Sequence, residues 1–496
     1  IGRYARTHGP FTTAAVAGRF GLGLRVAADV LGRLAADRKL TPGEFVDAAV
    51  DTPGNEQWCD SEVLRILRRR SLAALRAQVE PVDTAAYGRF LPAWQQVGAA
   101  ATAGIDGLAG VIEQLAGVPL PASAVEPLVF GQRVADYSPA MLDELLASGE
   151  VIWSGRDDWV AFHLADSAPL TLTPPLELDL TDLHRAVLAA LDTGGAYFFR
   201  QLAVPGVGDT ELKEALWQLI RAGYATGDTF APVRAQLTGP RRSGTPPHRQ
   251  RRAPRLSRYS VARPQARSAD PTVAGRWSAL PVPEPDSTLR AHFQADQLLA
   301  RYGVLTRGSV AAEEVPGGFA MLYKVLTALE EAGRCQRGYF VESLGGAQFS
   351  MASTVDTLRS FAGGIDGTTT PEAVEAPAVV LAASDPANPY GAALPWPAGD
   401  AGHRPGRKAG ALVALVGGQL VWFVERGGRS VLTFTSDPDA HQAAAGALAD
   451  LVGARRVDGL LVERIDGEPV LGPTSAAAEA LMSAGFSRTP RGLRLR

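Results

Sequence analysis

An α+β fold made of several small domains in tandem is predicted by three observations: a recurring helix stop, a change of hydrophobic period late in the chain, and a length of 496 residues. The stop is Leu-x-x-(Ala/Ser)-Gly, at Leu145–Gly149, Leu219–Gly223, Leu329–Gly333 and Leu481–Gly485. Each copy closes an apolar stretch of helical period, and strand-like residues follow. A helix halted by a left-handed glycine and turned into a hairpin is how the last helix of a winged helix ends. Leu34–Arg38 has the same order of elements without the glycine. After residue 370 the pattern changes to short strands, Ala378–Ala382, Ala411–Val416, Gln419–Glu425 and Ser430–Thr435, separated by Gly417-Gly418 and Gly427-Gly428 turns. The expectation is tandem winged-helix domains followed by a small antiparallel β-barrel.

In chain order, residues 1–50 read as a winged helix, with Thr12 or Thr13 capping its second helix. Residues 51–103 form a helical connector, where a helix over 60–79 carries Arg68 and Arg69 among other arginines. Winged helices follow over 104–180 and 181–237. The stretch 238–285 reads as a basic linker, because prolines and arginines without acids cannot bury enough apolar surface to fold. It is either a solvated spacer or an arm that tracks phosphates. Residues 286–370 are a further winged helix, and 371–496 the barrel domain with terminal helices and strands.

Composition narrows the class. Apolar residues make up 46% and the net charge is −3, so the chain is globular and not uniformly basic. Lys39, Lys213, Lys324 and Lys408 are the only lysines among 49 basic residues, a skew that fits a GC-rich genome. Cys59 and Cys335 lie far apart, which excludes a disulfide framework or zinc ribbon and fits a cytoplasmic setting. No apolar run approaches the length of a membrane span, and no membrane partner is expected. The chain starts at Ile1 inside a helical pattern, so a longer polypeptide is expected. No lysine follows a glycine, which excludes the phosphate-binding loop of a nucleotide-driven motor. Neither His-Glu-x-x-His nor Gly-x-Ser-x-Gly occurs, and no metal site is expected.

Two sets of candidate residues remain. In the loop Ser384–Gly391, Asp385 either caps a local turn or serves as a catalytic carboxylate of base excision, which needs an acid to orient water and stabilise a cationic sugar. The second set is nucleic-acid-binding: Tyr323, Lys324, Arg334, Arg337, Arg68 and Arg69, with Gln348 either touching nucleic acid or completing its hairpin. Acids beside the final helices, such as Asp143, Glu144, Glu330 and Glu331, argue that some modules pack instead of reading DNA.

The phrases Tyr302-Gly-Val-Leu-Thr-Arg-Gly308, Val315-Pro-Gly-Gly-Phe-Ala320, Asp385-Pro-Ala-Asn-Pro-Tyr-Gly391 and Thr489-Pro-Arg-Gly-Leu-Arg-Leu495 closely resemble the C-terminal region of bacterial Lhr, the large helicase-related proteins of superfamily 2. Trp58-Cys-Asp60 and Gly2-Arg-Tyr-Ala-Arg-Thr-His8 extend the match toward the start. The resemblance implies an upstream helicase core in the same polypeptide, an ATP-dependent 3′-to-5′ translocase that alone uses ATP and Mg. It implies a role in DNA repair, a barrel like that of AlkZ-type DNA glycosylases, and a homo-oligomer, expected as a tetramer. DNA is the implied partner, single-stranded or a 3′-tailed duplex. The reading is thus a DNA-binding and homo-oligomerisation region without the motor. A uracil-type glycosylase and a protein-interaction scaffold are the alternatives. AlkZ-type enzymes carry Gln-x-Gln, whereas Gln348-Phe-Ser350 keeps one glutamine, which counts against alkylated-base excision.

Overall fold

The computed structural model describes residues 1–43, 45, 56–67, 80–238, 270–362, 378–398, 404–472 and 475–496. The chain divides into two compact units, Ile1–Pro81 and the bulk of the residues from Val82 onward.

In the first unit, Thr12 caps the helix Thr13–Phe20 by accepting a hydrogen bond from the Ala15 amide, and Gly21 ends it in the left-handed conformation. The helix Leu24–Ala36 buries Ala27 and Leu31 against Val16 and Leu40. Three strands, Phe11–Thr12, Gln57–Asp60 and Leu40–Pro42, form a sheet with Gln57–Asp60 in the centre. The central strand thus comes from the stretch 51–103, expected as a connector.

The same sheet order, first strand, third, then second, recurs four times in the larger unit. The second module pairs Leu120–Pro121, Trp159–Leu164 and Val151–Arg156; the fourth pairs Val304–Leu305, Gln348–Ser350 and Gln336–Gly338. In the third module the central strand is Arg276–Ala279, between Tyr197–Phe198 and Ala225–Gly227. Residues 270–279 therefore leave the expected linker and join a core, because Trp277 is fully buried against Trp217. The remainder of the basic stretch, 239–269, lies outside the described residues.

The glycine phrase behaves as its sequence demands. Gly149, Gly223, Gly333 and Gly485 all have positive φ, at 80°, 81°, 70° and 97°. Each directly follows its helix or that helix's last capping residue. Arg38 occupies the same place at φ 57°, and the Lys39 amide donates to the Leu34 carbonyl as the Arg334 amide does to Leu329. A sixth copy was not legible: Leu451–Arg455 ends the helix Pro438–Gly453 with Arg455 at φ 55° and the Arg456 amide bonded to the Leu451 carbonyl.

No closed barrel is found among the described residues. Instead, Ala378–Ala382, Leu412–Val416, Gln419–Val424, Ser430–Thr433, Arg464–Ile465 and Glu468–Pro469 form one six-stranded sheet in that order. Its strands read as unbroken apolar runs because both faces are covered. Leu381, Val413 and Phe423 face the fourth module; Val380, Leu412 and Trp422 face the helices Pro438–Gly453 and Ala476–Ser483. The end of the chain is a fifth three-stranded sheet of the same order, Leu460–Val462, Gly492–Leu495 and Ser487–Thr489. A winged-helix topology thus covers one face of the large sheet.

The helix Thr84–Trp94, also in the expected connector, belongs to the core of the fourth module: Tyr87, Phe90 and Leu91 pack with Leu298, Leu326 and Phe349. It reaches the large sheet through Gly88, where a Cβ would lie 2.0 Å from the Gly418 carbonyl oxygen. Only two glycines permit that approach.

Candidate functional site

The loop Ser384–Gly391 is built inward. Asp385 accepts from the Ala387 amide at 2.8 Å and so caps its own turn, while the Asn388 amide nitrogen donates to the Ala383 carbonyl. A helical segment with a π-helical stretch at Val125–Phe130 delivers Arg133 opposite. The Arg133 guanidinium donates Nη2 to Asp385 Oδ1 at 2.6 Å and Nη1 to Oδ2 at 2.9 Å, and both side chains are wholly buried. Gln95 Oε1 takes a further bond from Arg133 Nη2. Gln132 and Arg407 extend the junction by donating to the carbonyls of Val380 and Asp385. Burial lowers the pKa of Arg407. Asp385 therefore sits in a bidentate pair that ties the second module to the large sheet.

The wing of the fourth module is also more self-contained than its sequence suggests. Gln348 is fully buried: Oε1 accepts from the amides of Phe340 and Val341, and Nε2 donates to the carbonyls of Val341 and Gly345. All its hydrogen-bonding capacity closes the hairpin. Arg337 donates to the Tyr323 hydroxyl at 2.6 Å and lies 3.6 Å from Glu330. Arg334 pairs with Asp296. Lys324 is exposed. The structure brings Tyr323 and Arg337 together, as the sequence grouped them, but ties the arginines to acids. Arg68 and Arg69 lie outside the described residues.

The five hairpin-preceding helices differ in charge. Leu24–Ala36 carries Arg25 and Arg33 against Asp29. By contrast, Pro139–Ser148 has Asp143 and Glu144 with no cation, Asp209–Arg221 has three acids against two cations, Gly318–Glu331 two against one, and Ala476–Ser483 only Glu479. Asp143 is used internally, accepting from Arg234 at 2.6 Å and from the Phe230 amide at 2.8 Å. Burial raises its pKa, but those bonds and one from Thr229 outweigh burial and hold it below the usual carboxylate value. Arg3, Arg19, Arg25, Arg33 and Arg38 of the first module are exposed and form no ion pair among the described residues. Residues 1–43 contain seven cations and two carboxylates. Sequence reading passed over this module because the whole chain is near neutral.

A cavity of about 460 Å³ opens where the second, third and fourth modules meet. One wall is the hairpin Val151–Leu164, with Ser154, Arg156, Trp159 and His163; another is the helix Ser287–Tyr302, with Arg290, Phe293 and Gln297. His163 is bonded on both ring nitrogens, to Ser154 Oγ at 2.9 Å and Thr171 Oγ1 at 2.8 Å. Burial pushes its pKa down to about 4, so it is neutral near pH 7. No group of three or more His, Cys, Asp or Glu among the described residues is placed to hold a metal.

The repeated winged helices and their shared sheet order place the chain among winged-helix proteins of the large helicase-related class: residues 82–165 and 284–370 each match the large helicase-related protein, winged-helix domain. The chain is 68% identical over its full length to the "Lhr helicase/ probable uracil glycosylase" of Mycolicibacterium smegmatis. It is also 36% identical, over 99% of its length, to the "Lhr helicase/uracil glycosylase" of Escherichia coli K12. It spans 33% of the length of each of these relatives. A solved structure, the Streptomyces sahachiroi DNA glycosylase AlkZ, aligns with 78% of this chain and 99% of its own at a TM-score of 0.42 and 14% identity.

Proposed function

We propose that this chain is the DNA-holding region of a larger helicase that acts in DNA repair, and that its first module makes the main contact with phosphates. The observation that carries the reading is the charge of the helix Leu24–Ala36, the only one of the five hairpin-preceding helices among the described residues with a net positive charge. A winged helix lays that helix on the duplex, where guanidiniums gain and carboxylates lose. The acidic helices Pro139–Ser148, Asp209–Arg221 and Ala476–Ser483 serve packing, as Asp143 does with Arg234. The preferred DNA is single-stranded or a 3′-tailed duplex, to which Tyr323, Lys324 and Arg337 add a secondary contact. Homo-oligomerisation, as a tetramer, belongs to the same reading.

The test is fluorescence anisotropy with a 3′-tailed duplex over a salt series. Replacing both Arg25 and Arg33 with alanine should lower the slope of log affinity against log salt by about 2, since each phosphate contact contributes about 0.9. An unchanged slope refutes the assignment. Sedimentation at micromolar concentration tests assembly, and a monomer of 52.2 kDa would exclude it.

Uracil excision is a second reading, favoured by the names of both relatives. Asp385 enters it as the first acid to vary, within the limits that its buried pairing sets.

A further inference from the structure

Two of the helix stops among the described residues hold an arginine, Arg38 and Arg455, where the others hold glycine, at φ 57° and 55°. A left-handed arginine is strained, and strain of that kind directs attention to what the side chain does. Beside Arg455 a cleft of about 400 Å³ lies between the second module and the turn that follows the helix Pro438–Gly453. Pro127, Val134, Ala135 and Ala454 give it apolar walls, and the turn adds Arg455 and Arg456. Pro127 and Glu126 come from the π-helical stretch Val125–Phe130, a geometry that gathers at functional sites. Arg456 is half-buried against the second module: a Cβ at Gly131 would lie 4.0 Å from its Nε and Cζ. Neither arginine side chain makes an ion pair or hydrogen bond among the described residues. Glu126, the one carboxylate lining the cleft, is already engaged, accepting from the Tyr137 hydroxyl at 2.6 Å and from Arg234 Nε at 2.8 Å and Nη2 at 2.9 Å. Burial lowers the pKa of Arg456, yet a guanidinium stays charged.

Two guanidiniums without a counter-ion beside apolar walls suit an anion that carries an apolar group next to its charge. The last residue of a polypeptide has that chemistry: its α-carboxylate matches the fork of a guanidinium, and its side chain leaves the same carbon. A phosphodiester strand does not, since sugars flank its charges and its path across the cleft would pass the Glu126 carboxylate. We propose that this cleft binds the C-terminal residues of a protein partner, with the α-carboxylate paired to Arg456 and Arg455 and an apolar last side chain against Pro127 and Val134. Acidic residues just before the terminus strengthen the attraction. The site stands apart from the phosphate contacts of the first module.

The probe is a library of short peptides with free C-termini, displayed beside the same sequences closed as C-terminal amides, so that no partner sequence is presupposed. The full chain should enrich free carboxylates with an apolar last residue and pass over the amides. An enriched peptide is then titrated by fluorescence anisotropy. Arg456→Met keeps the apolar stem and removes a charge that has no partner to lose, so binding should weaken about tenfold at unchanged melting temperature. Arg455→Gly is an independent check: it should also weaken binding while the melting temperature holds or rises, because glycine relieves the left-handed strain. No preference for free carboxylates over amides, or an affinity indifferent to both substitutions, overturns the proposal. Displacement of the peptide by single-stranded DNA, with DNA binding that itself depends on Arg455 and Arg456, would assign the cleft to phosphates and likewise overturn it. The Arg25→Ala/Arg33→Ala variant should bind the peptide as the parent does, and a loss there would overturn the assignment to this cleft.

Discussion

Replacing Asp385 with asparagine separates architecture from chemistry at the most deeply buried charge pair among the described residues. Arg133 and Asp385 are both wholly inaccessible and bonded at 2.6 and 2.9 Å. Asparagine fits the space and can still cap the Ala387 amide, but it removes the charge that compensates the guanidinium. Arg133 Nη2 would keep the side-chain oxygen and Gln95 Oε1, but Nη1 would lose its carboxylate acceptor and face an amide NH₂ with only the Val129 carbonyl left, and Nε has no hydrogen-bond partner even in the intact pair. Breaking one side of such a pair costs about 3–5 kcal/mol, because a buried charge is left uncompensated. That is a large part of the roughly 5–15 kcal/mol by which domains are stable. Asp385→Asn is therefore expected to weaken the fold as well as any chemistry. Thermal unfolding should show a drop on the order of 10 °C. The double variant Arg133→Met/Asp385→Leu should recover most of it, since apolar replacement of both partners of a buried pair is often neutral. A single variant within 2 °C of the parent, on the order of the shift from 1 kcal/mol, would refute the argument. Measuring uracil excision on the double variant then decides the role of the carboxylate. Activity that returns with stability makes Asp385 architectural, and activity that stays absent gives it a part in the reaction.

Other outcomes follow from the same structure. His163 titrates at about 4 when folded and near 6.5 in its ordinary state, so it binds fewer protons folded than unfolded in that window. Stability should be complete above pH 6.5 and fall by about 3 kcal/mol as pH drops toward 4. His163→Gln should lose that component in pH-dependent melting, and an identical pH profile would contradict it. Arg38→Gly should stabilise the first unit by about 0.5–1 kcal/mol by relieving a left-handed arginine, whereas Gly333→Ala should cost about 1 kcal/mol, both read by chemical denaturation. Opposite signs would overturn the helix-stop argument.

Much of the modular plan was legible because helix stops are local. Leu-x-x-(Ala/Ser)-Gly needs only a helix, a left-handed residue and a following strand, and all four glycines take positive φ. The copies ending in Arg38 and Arg455 show the limit of that signal, since the geometry persists where the glycine is absent. Arg276–Ala279 was missed because prolines and arginines dominate the preceding residues, while one tryptophan is enough to anchor a strand. Gln348 and Asp385 stood out in the sequence as polar residues beside glycine- and proline-rich turns, each with a structural and a functional reading. Whether such a side chain faces solvent or a buried partner depends on residues as distant as Arg133, 252 positions away.

The sequence by itself determined where helices stop and turn back, and hence a string of winged helices, because those choices are made within a few residues of backbone and side chain. It also set the basic character of residues 1–43. Only the tertiary structure decided that the large sheet is covered on both faces, that the last segment repeats the sheet order of the others, and that Asp385 is locked to Arg133. These depend on which apolar faces and which charges find each other across hundreds of residues, and burial in a shared core settles that pairing.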